Sequence, residues 1–242
     1  MKKFLKYFDY VVCFIFSISF ILTSALISII PIASNNSYYM RQFEKNGVGE
    51  HLNYTIDQLQ EITKAITNYM FHGANSMQVY FDEKAVFSDQ AISHMADVKV
   101  LFVGGCILGY ISLVILILCF GYLIYRSKFV KKFFRKINYI TFGFFVLIII
   151  GVSIYAAIDF DSAFVNFHHV IFPDPEKFNN AFFPNDDTLI NILTLDFFID
   201  IFIEIIIRFV AIYIVYFIIV QCLYGKMKKR IENSFKQKFQ SK

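Results

Sequence analysis

The chain has 242 residues, of which 57% are hydrophobic, 19% aromatic and 17% charged, with a formal net charge of +4. A soluble domain of this size is not normally so apolar, and the charge does not indicate nucleic acid, because the basic clusters abut long apolar runs. All four cysteines (Cys13, Cys106, Cys119 and Cys222) fall inside those runs without metal-ligand spacing, so neither a disulfide nor a metal is expected.

The N-terminus carries Lys2, Lys3 and Lys6, and Tyr10 to Met40 then contains no charge. A helix needs roughly 20 apolar residues to cross the hydrocarbon core, which predicts a first span over about 8–33. The basic start and the stretch Pro31-Ile32-Ala33-Ser34 resemble a cleaved signal, but the run exceeds a signal's apolar region of roughly 7–15 residues. Its removal would also leave an odd number of spans and put the two acidic connections on different sides, so it reads as a membrane helix.

The connection 34–97 has its own pattern. Thr55 and Gln58 form a capping box, and Leu59, Ile62, Ile66, Tyr69 and Met70 follow at helical spacing, with Gly73 as the stop. That amphipathic helix should pack on the other outer connection or lie on the bilayer surface. Met77 to Phe81 is a candidate short strand. Ser88 can cap a helix running into a second span over about 98–125, which places His94 about one turn above the membrane on a rigid helix end. Asn35-Asn36-Ser37 and Asn53-Tyr54-Thr55 match the glycosylation triplet, which matters only in a glycosylating secretory pathway.

The next connection is basic (Arg126, Lys128, Lys131, Lys132, Arg135, Lys136), and a third span follows over about 137–158. The segment 159–196 is Phe-rich. It opens with Asp159 and Asp161, continues through His168 and His169, and is kept from forming one long helix by Pro173, Pro175 and Pro184. Asp186 and Asp187 precede the apolar residues Leu189, Ile190, Ile192 and Leu193, which lead into a fourth span over about 197–225. Asp200, Glu204 and Arg208 share one face of that span. Ionisable groups inside a membrane face the bundle or a wet cavity and pair there. They are either a polar floor beneath a site, or a Glu204–Arg208 pair with Asp200 at the headgroups.

The tail is basic again (Lys226, Lys228, Lys229, Arg230, Lys236, Lys238, Lys242). Lysine and arginine stay on the cytoplasmic side during insertion. The expected fold is therefore an all-α integral membrane protein, one domain over 1–242. Four transmembrane helices run N-in and C-in, and the connections 34–97 and 159–196 form a small extracytoplasmic cap. Barrel strands alternate apolar and polar residues, and these runs do not. No internal repeat or Gly-rich phosphate loop is present.

For chemistry, His94 and His168 stand out. Both are expected at one membrane–water boundary, on different connections, and histidine can exchange protons near neutrality. The plainer alternative is two surface histidines. His169 must point away from its neighbour, and His51 and His72 read as surface or cap residues. No serine sits in a nucleophile elbow and no cysteine lies near a histidine outside the spans, so a covalent acyl-enzyme has little support.

Two blocks carry a family resemblance. Phe160-Asp161-Ser162-Ala163-Phe164-Val165-Asn166-Phe167-His168 with Phe172, continued by Asp187-Thr188-Leu189-Ile190 and Phe197-Phe198, forms one. Phe87-Ser88, Ile92-Ser93-His94-Met95 and Asp97-Val98-Lys99 form the other. Together they resemble the lipoprotein intramolecular transacylase family of bacteria. The family's usual tryptophan ahead of the Asp-x-Leu-Ile element is absent, with Phe182 or Phe183 in its place, and Thr194 or Leu195 stands where a proline is usual.

The resemblance implies an acyltransferase of the bacterial cell membrane, with its active site at the outer leaflet. It would move the sn-2 acyl chain of a diacylglyceryl-cysteine lipoprotein to that cysteine's α-amino group. Its partners would be such lipoproteins and membrane lipids, with no cofactor; oligomeric state stays open. His94 and His168 would be the catalytic acid and base, in either order. Asp97 and Asp161 are possible orienters of the imidazoles, and Phe164, Phe167 and Asp187 possible supports for substrate. Attack closes a ring of about eight atoms, so aromatic walls that fold the substrate would supply part of the catalysis. The alternative is a non-catalytic membrane sensor or partner-binding protein; a transporter has less support, with no repeat or broken-helix pattern.

Overall fold

Charge-free runs become helices in the computed structural model, which describes residues 2–240, excluding the side chains of 2–3, 127–129, 131–132 and 220–240. The side chains of Cys222, of the basic tail and of Lys2, Lys3, Lys128, Lys131 and Lys132 therefore lie outside the described residues. In chain order come α1 (Lys2–Ala33), α2 (Asn36–Lys45), α3 (Val48–Leu52) and α4 (Ile56–Phe71). The hairpin β1 (Tyr80–Phe81) and β2 (Lys84–Ala85) precedes α5 (Asp89–Tyr125). Then follow α6 (Ser127–Ile158), α7 (Phe160–Ile171), α8 (Pro175–Asn180), α9 (Thr188–Ile192) and α10 (Leu195–Gln240).

Four of these helices (α1, α5, α6 and α10) are long and apolar enough to cross a membrane. Half of the apolar window of α1 is buried, against 6–11% in the others, so α1 is the central helix. It packs against α5, α6 and α10. Where α1 meets α5, a Cβ on Gly109 would come within 2.7 Å of the Leu26 side chain, so only glycine permits that approach. At the opposite end from the short helices, Asp9 is buried and accepts from Arg126 Nη2 at 2.8 Å, Arg126 Nε at 3.1 Å and the Tyr122 hydroxyl at 2.8 Å. Arg126, counted above with the basic connection, thus closes a corner between α1 and the end of α5.

The short elements form a layer at the other end, and the largest core lies there. Phe43, Leu59, Ile62, Ile66, Met77, Phe87 and Ile192 are almost fully buried in one cluster. The elements are set by local signals. Thr55 and Gln58 make both halves of the capping box that starts α4, and Gly73 follows its end at φ +78. The strand expected over Met77–Phe81 is confined to Tyr80–Phe81, which pairs with Lys84–Ala85 across Asp82 and Glu83, both at positive φ. The apolar run after Asp187 is not the start of the fourth span. It forms α9, capped by Asp187 and ended at Leu193, and α10 begins afresh.

Candidate active site

His94 sits near the start of α5, which Ser88 caps by accepting from the Ala91 amide. At 37 residues α5 is about 55 Å long, well beyond a hydrocarbon core of about 30 Å. Its first turns, with Asp89, Asp97 and Lys99, therefore stand outside the charge-free stretch that begins at Val100. His168 lies on α7. Asp159 caps that helix through the Ser162 amide at 3.0 Å, and Pro173 follows its end. Phe160, Phe164 and His168 then recur every fourth residue on one face.

The two imidazoles face each other with ring centroids 6.2 Å apart and planes 28° apart. Both are buried, at 8% and 7% exposure, which separates them from His51, His72 and His169 on the surface. Phenylalanines enclose them. Phe172 and Phe183 lie 5.5 and 5.4 Å from His94. Phe164, Phe167, Phe172 and Phe182 lie 4.1, 5.6, 6.1 and 6.2 Å from His168.

The protons can be placed. His168 Nδ1 is 2.8 Å from the Phe164 carbonyl, which can only accept, so Nδ1 carries the hydrogen and Nε2 presents its lone pair. Burial pushes the His168 imidazole below the usual histidine range, while that hydrogen bond holds it up. His94 is pushed further down, to about 4, first by burial and then by His168, with Asp97 opposing. Both rings are neutral at pH 7. Two neutral imidazoles around one space can accept one proton and donate one hydrogen bond.

A strap from 177–187 holds the aromatic wall onto α5. Ser88 Oγ donates to Asp187 at 2.6 Å, and Asp187 also caps α9. Gln90 Nε2 donates to the Asn180 and Phe182 carbonyls at 3.2 and 2.8 Å. Asn180 Nδ2 donates to Ser93 Oγ at 3.2 Å, and Lys177 pairs with Asp97. Asp97 thus reaches His94 only through its charge. Asp161 is exposed on α7, and the group that orients His168 is the Phe164 carbonyl rather than a carboxylate. Gln90, Asn180 and Lys177 escaped the sequence reading, and Ser93 entered it only as part of a family block. A signal existed: Gln90, Ser93, His94 and Asp97 share one face of α5 by helical spacing.

The polar groups of α10 are shared out differently. Asp200 pairs with Lys45 of α2, and Arg208 Nη2 donates to Glu204 at 2.7 Å. They do not join the histidines. His51 Nε2 is 3.3 Å from Asn191 Oδ1, and His169 stacks edge-on against Phe178. Among the described residues no three His, Cys, Asp or Glu gather as metal ligands would.

Comparison with known proteins was informative at two levels. The family model for the lipoprotein intramolecular transacylase Lit matches residues 14–198. Among solved structures, the membrane integral lipoprotein intramolecular transacylase Lit from Bacillus cereus is similar, with a TM-score of 0.73 at 18% identity, over 93% of this chain and 98% of that one. Two structures of the same Bacillus cereus protein with one histidine replaced, by arginine or by alanine, are also similar, each with a TM-score of 0.72. Their identities are 18% and 17%, over 96% and 95% of this chain and 97% and 98% of theirs. A search of curated proteins found no match.

Proposed function

The chain belongs to the lipoprotein intramolecular transacylase family, and on that premise we propose that it moves the sn-2 acyl chain of a diacylglyceryl-cysteine lipoprotein to the cysteine α-amine at the outer leaflet. The bundle runs N-in and C-in, with the short helices as an extracytoplasmic cap, because the basic N-terminus, the basic connection 126–136 and the basic tail alternate along the sequence with the two net-acidic connections that carry the histidines. The observation that carries the reading is the meeting of His94 and His168, from two separate connections, inside an aromatic chamber.

The α-amine nitrogen attacks the sn-2 ester carbon, and the carbonyl electrons move onto its oxygen. His168 Nε2 takes the proton the nitrogen sheds. A His94 N–H donates to the oxyanion, a role that suits an imidazole kept neutral by burial. The tetrahedral centre collapses with cleavage of the bond to glycerol, and the imidazolium of His168 returns its proton to the leaving oxygen. One C–N bond replaces one C–O bond, with no covalent acyl-enzyme and no cofactor. The phenylalanine walls fold the substrate so that amine and ester meet.

Mass spectrometry of the N-terminal peptide of a reporter lipoprotein tests this in an expressing strain. One acyl group on glycerol and one on nitrogen is the expected product, and an unchanged diacylglyceryl peptide would overturn the proposal. In the same assay His51→Ala and His72→Ala should leave transfer within about twofold, because neither ring lies near the chamber.

The rate should follow the substrate's proton rather than the enzyme's. The α-amine, with a pKa of about 8, must be neutral to attack, whereas both histidines already are. Single-turnover rates should therefore rise about tenfold per pH unit from 6.5 to 7.5 and level off above about 8. A break near 6.5, the ordinary histidine value, would contradict a buried neutral pair.

A further inference from the structure

A groove of about 380 Å³ runs between α6 and α10, lined by residues that include Phe142, Val146, Ile149, Ser153, Ile206 and Val210. Apart from the Ser153 hydroxyl, those side chains are hydrocarbon or aromatic. One end is bounded by Phe142, which stacks on Tyr213 with centroids 4.0 Å and planes 11° apart. One turn further, Phe145 packs on Phe209 at 5.4 Å. The two helices run in opposite directions, so that register brings Ile149 level with Ile206 and the end of α6 level with the first turns of α10.

At that end α6 passes through Asp159 into α7, the helix that carries His168. Phe198, in the first turn of α10, lies 6.0 Å from Phe164, and Phe164 lies 4.1 Å from His168. From Ala157 to Phe142 the groove follows α6 for about 22 Å, which exceeds the half of a roughly 30 Å hydrocarbon core available to one leaflet. Its Ala157 end thus faces the level of α7, which carries the proton-accepting imidazole, and its other end is bounded by an aromatic plate.

We propose that this groove holds the acyl chain being transferred, and that the Phe142–Tyr213 stack, as its floor, limits the chain length accepted; this rests on the transacylase reading above. The geometry selects that chain over bulk lipid. The carbonyl under attack must stand beside His168, and its chain must leave the polar layer from that point. Further along α6 and α10 from the level of the Phe164–Phe198 contact lies the apolar groove.

The test uses full-length protein in proteoliposomes and synthetic diacylglyceryl lipopeptides with six-carbon or sixteen-carbon sn-2 chains. Ser153→Trp fills the groove near its Ala157 end. It should lower sixteen-carbon transfer about tenfold or more while leaving six-carbon transfer within about twofold. Leu147→Trp, at a position 68% exposed on α6 and outside the groove, should change neither. Phe142→Ala should extend transfer to chains longer than the native enzyme accepts. Unchanged sixteen-carbon transfer in Ser153→Trp would overturn the proposal and leave the groove to bulk lipid. So would an equal loss at both chain lengths. Photocrosslinking with a diazirine at the sn-2 chain end reads occupancy without chemistry. Label on the α6 and α10 peptides supports the groove even if no acyl group moves, in which case the transacylase reading alone fails. Label spread evenly over the lipid-facing helices overturns it.

Discussion

His168→Ala should lower the single-turnover transfer rate by about 10²–10⁴-fold, the usual contribution of a positioned general base. The Phe164 carbonyl fixes the hydrogen on Nδ1, so the free lone pair on Nε2 faces the aromatic chamber. Among the described residues no carboxylate is hydrogen-bonded to that ring to take its place; Asp161 is exposed and Asp97 is held by Lys177. His168→Gln separates shape from basicity. Its amide can still donate to the Phe164 carbonyl, but an amide accepts no proton at neutral pH, so the glutamine variant should be as slow as the alanine one. Both variants should insert and elute as the native protein does. The bundle core lies along α1, and the layer's core lies around Ile62 and Phe87, away from this ring. Either variant retaining transfer within tenfold of native would place the base elsewhere.

Much of the fold could be read from local pattern. Apolar runs of membrane length specify four helices whatever surrounds them. Thr55 with Gln58, Ser88, Asp187 and Gly73 act on backbone groups within a few residues, so their effects are visible in sequence. What stayed hidden depends on pairing across the chain. Asp9 looks like an acid beside a charge-free run, and Arg126 like one more topogenic cation. Only packing of α1 against α5 reveals them as a buried pair. Asp200 reads as part of a polar floor or as an acid at the headgroups, and only the fold reveals its partner, Lys45, delivered by α2.

The candidate site divides the same way. The two histidines could be singled out by where each falls relative to a span, but their approach to 6.2 Å depends on the strap from Lys177 to Asp187 gripping α5. The side chains that make those bonds, such as Asn180, Lys177 and Gln90, are ordinary polar residues, so nothing in their identity announces them. The break between α9 and α10 was hidden because an apolar stretch beside a span looks like its continuation. Asp187 caps α9 and ties it back to Ser88, and that makes the stretch a separate element.

His94→Ala should cost about 10²–10³-fold, the usual penalty for losing one donor to an oxyanion. The reason differs from that at His168, and the same substitution to glutamine exposes it. Burial and the neighbouring His168 hold the His94 imidazole down to about 4, so at neutral pH it is a poor base but still offers an N–H. An amide offers an N–H as well. His94→Gln should therefore recover about tenfold or more of what His94→Ala loses, whereas glutamine at 168 recovers nothing. The contrast is read from single-turnover rates of the four variants at pH 8, where the substrate amine is largely neutral. Rescue at 168 but not at 94 would exchange the two roles. Failure of rescue at both would mean that each ring must carry a proton in turn, and that the oxyanion is held by some other donor.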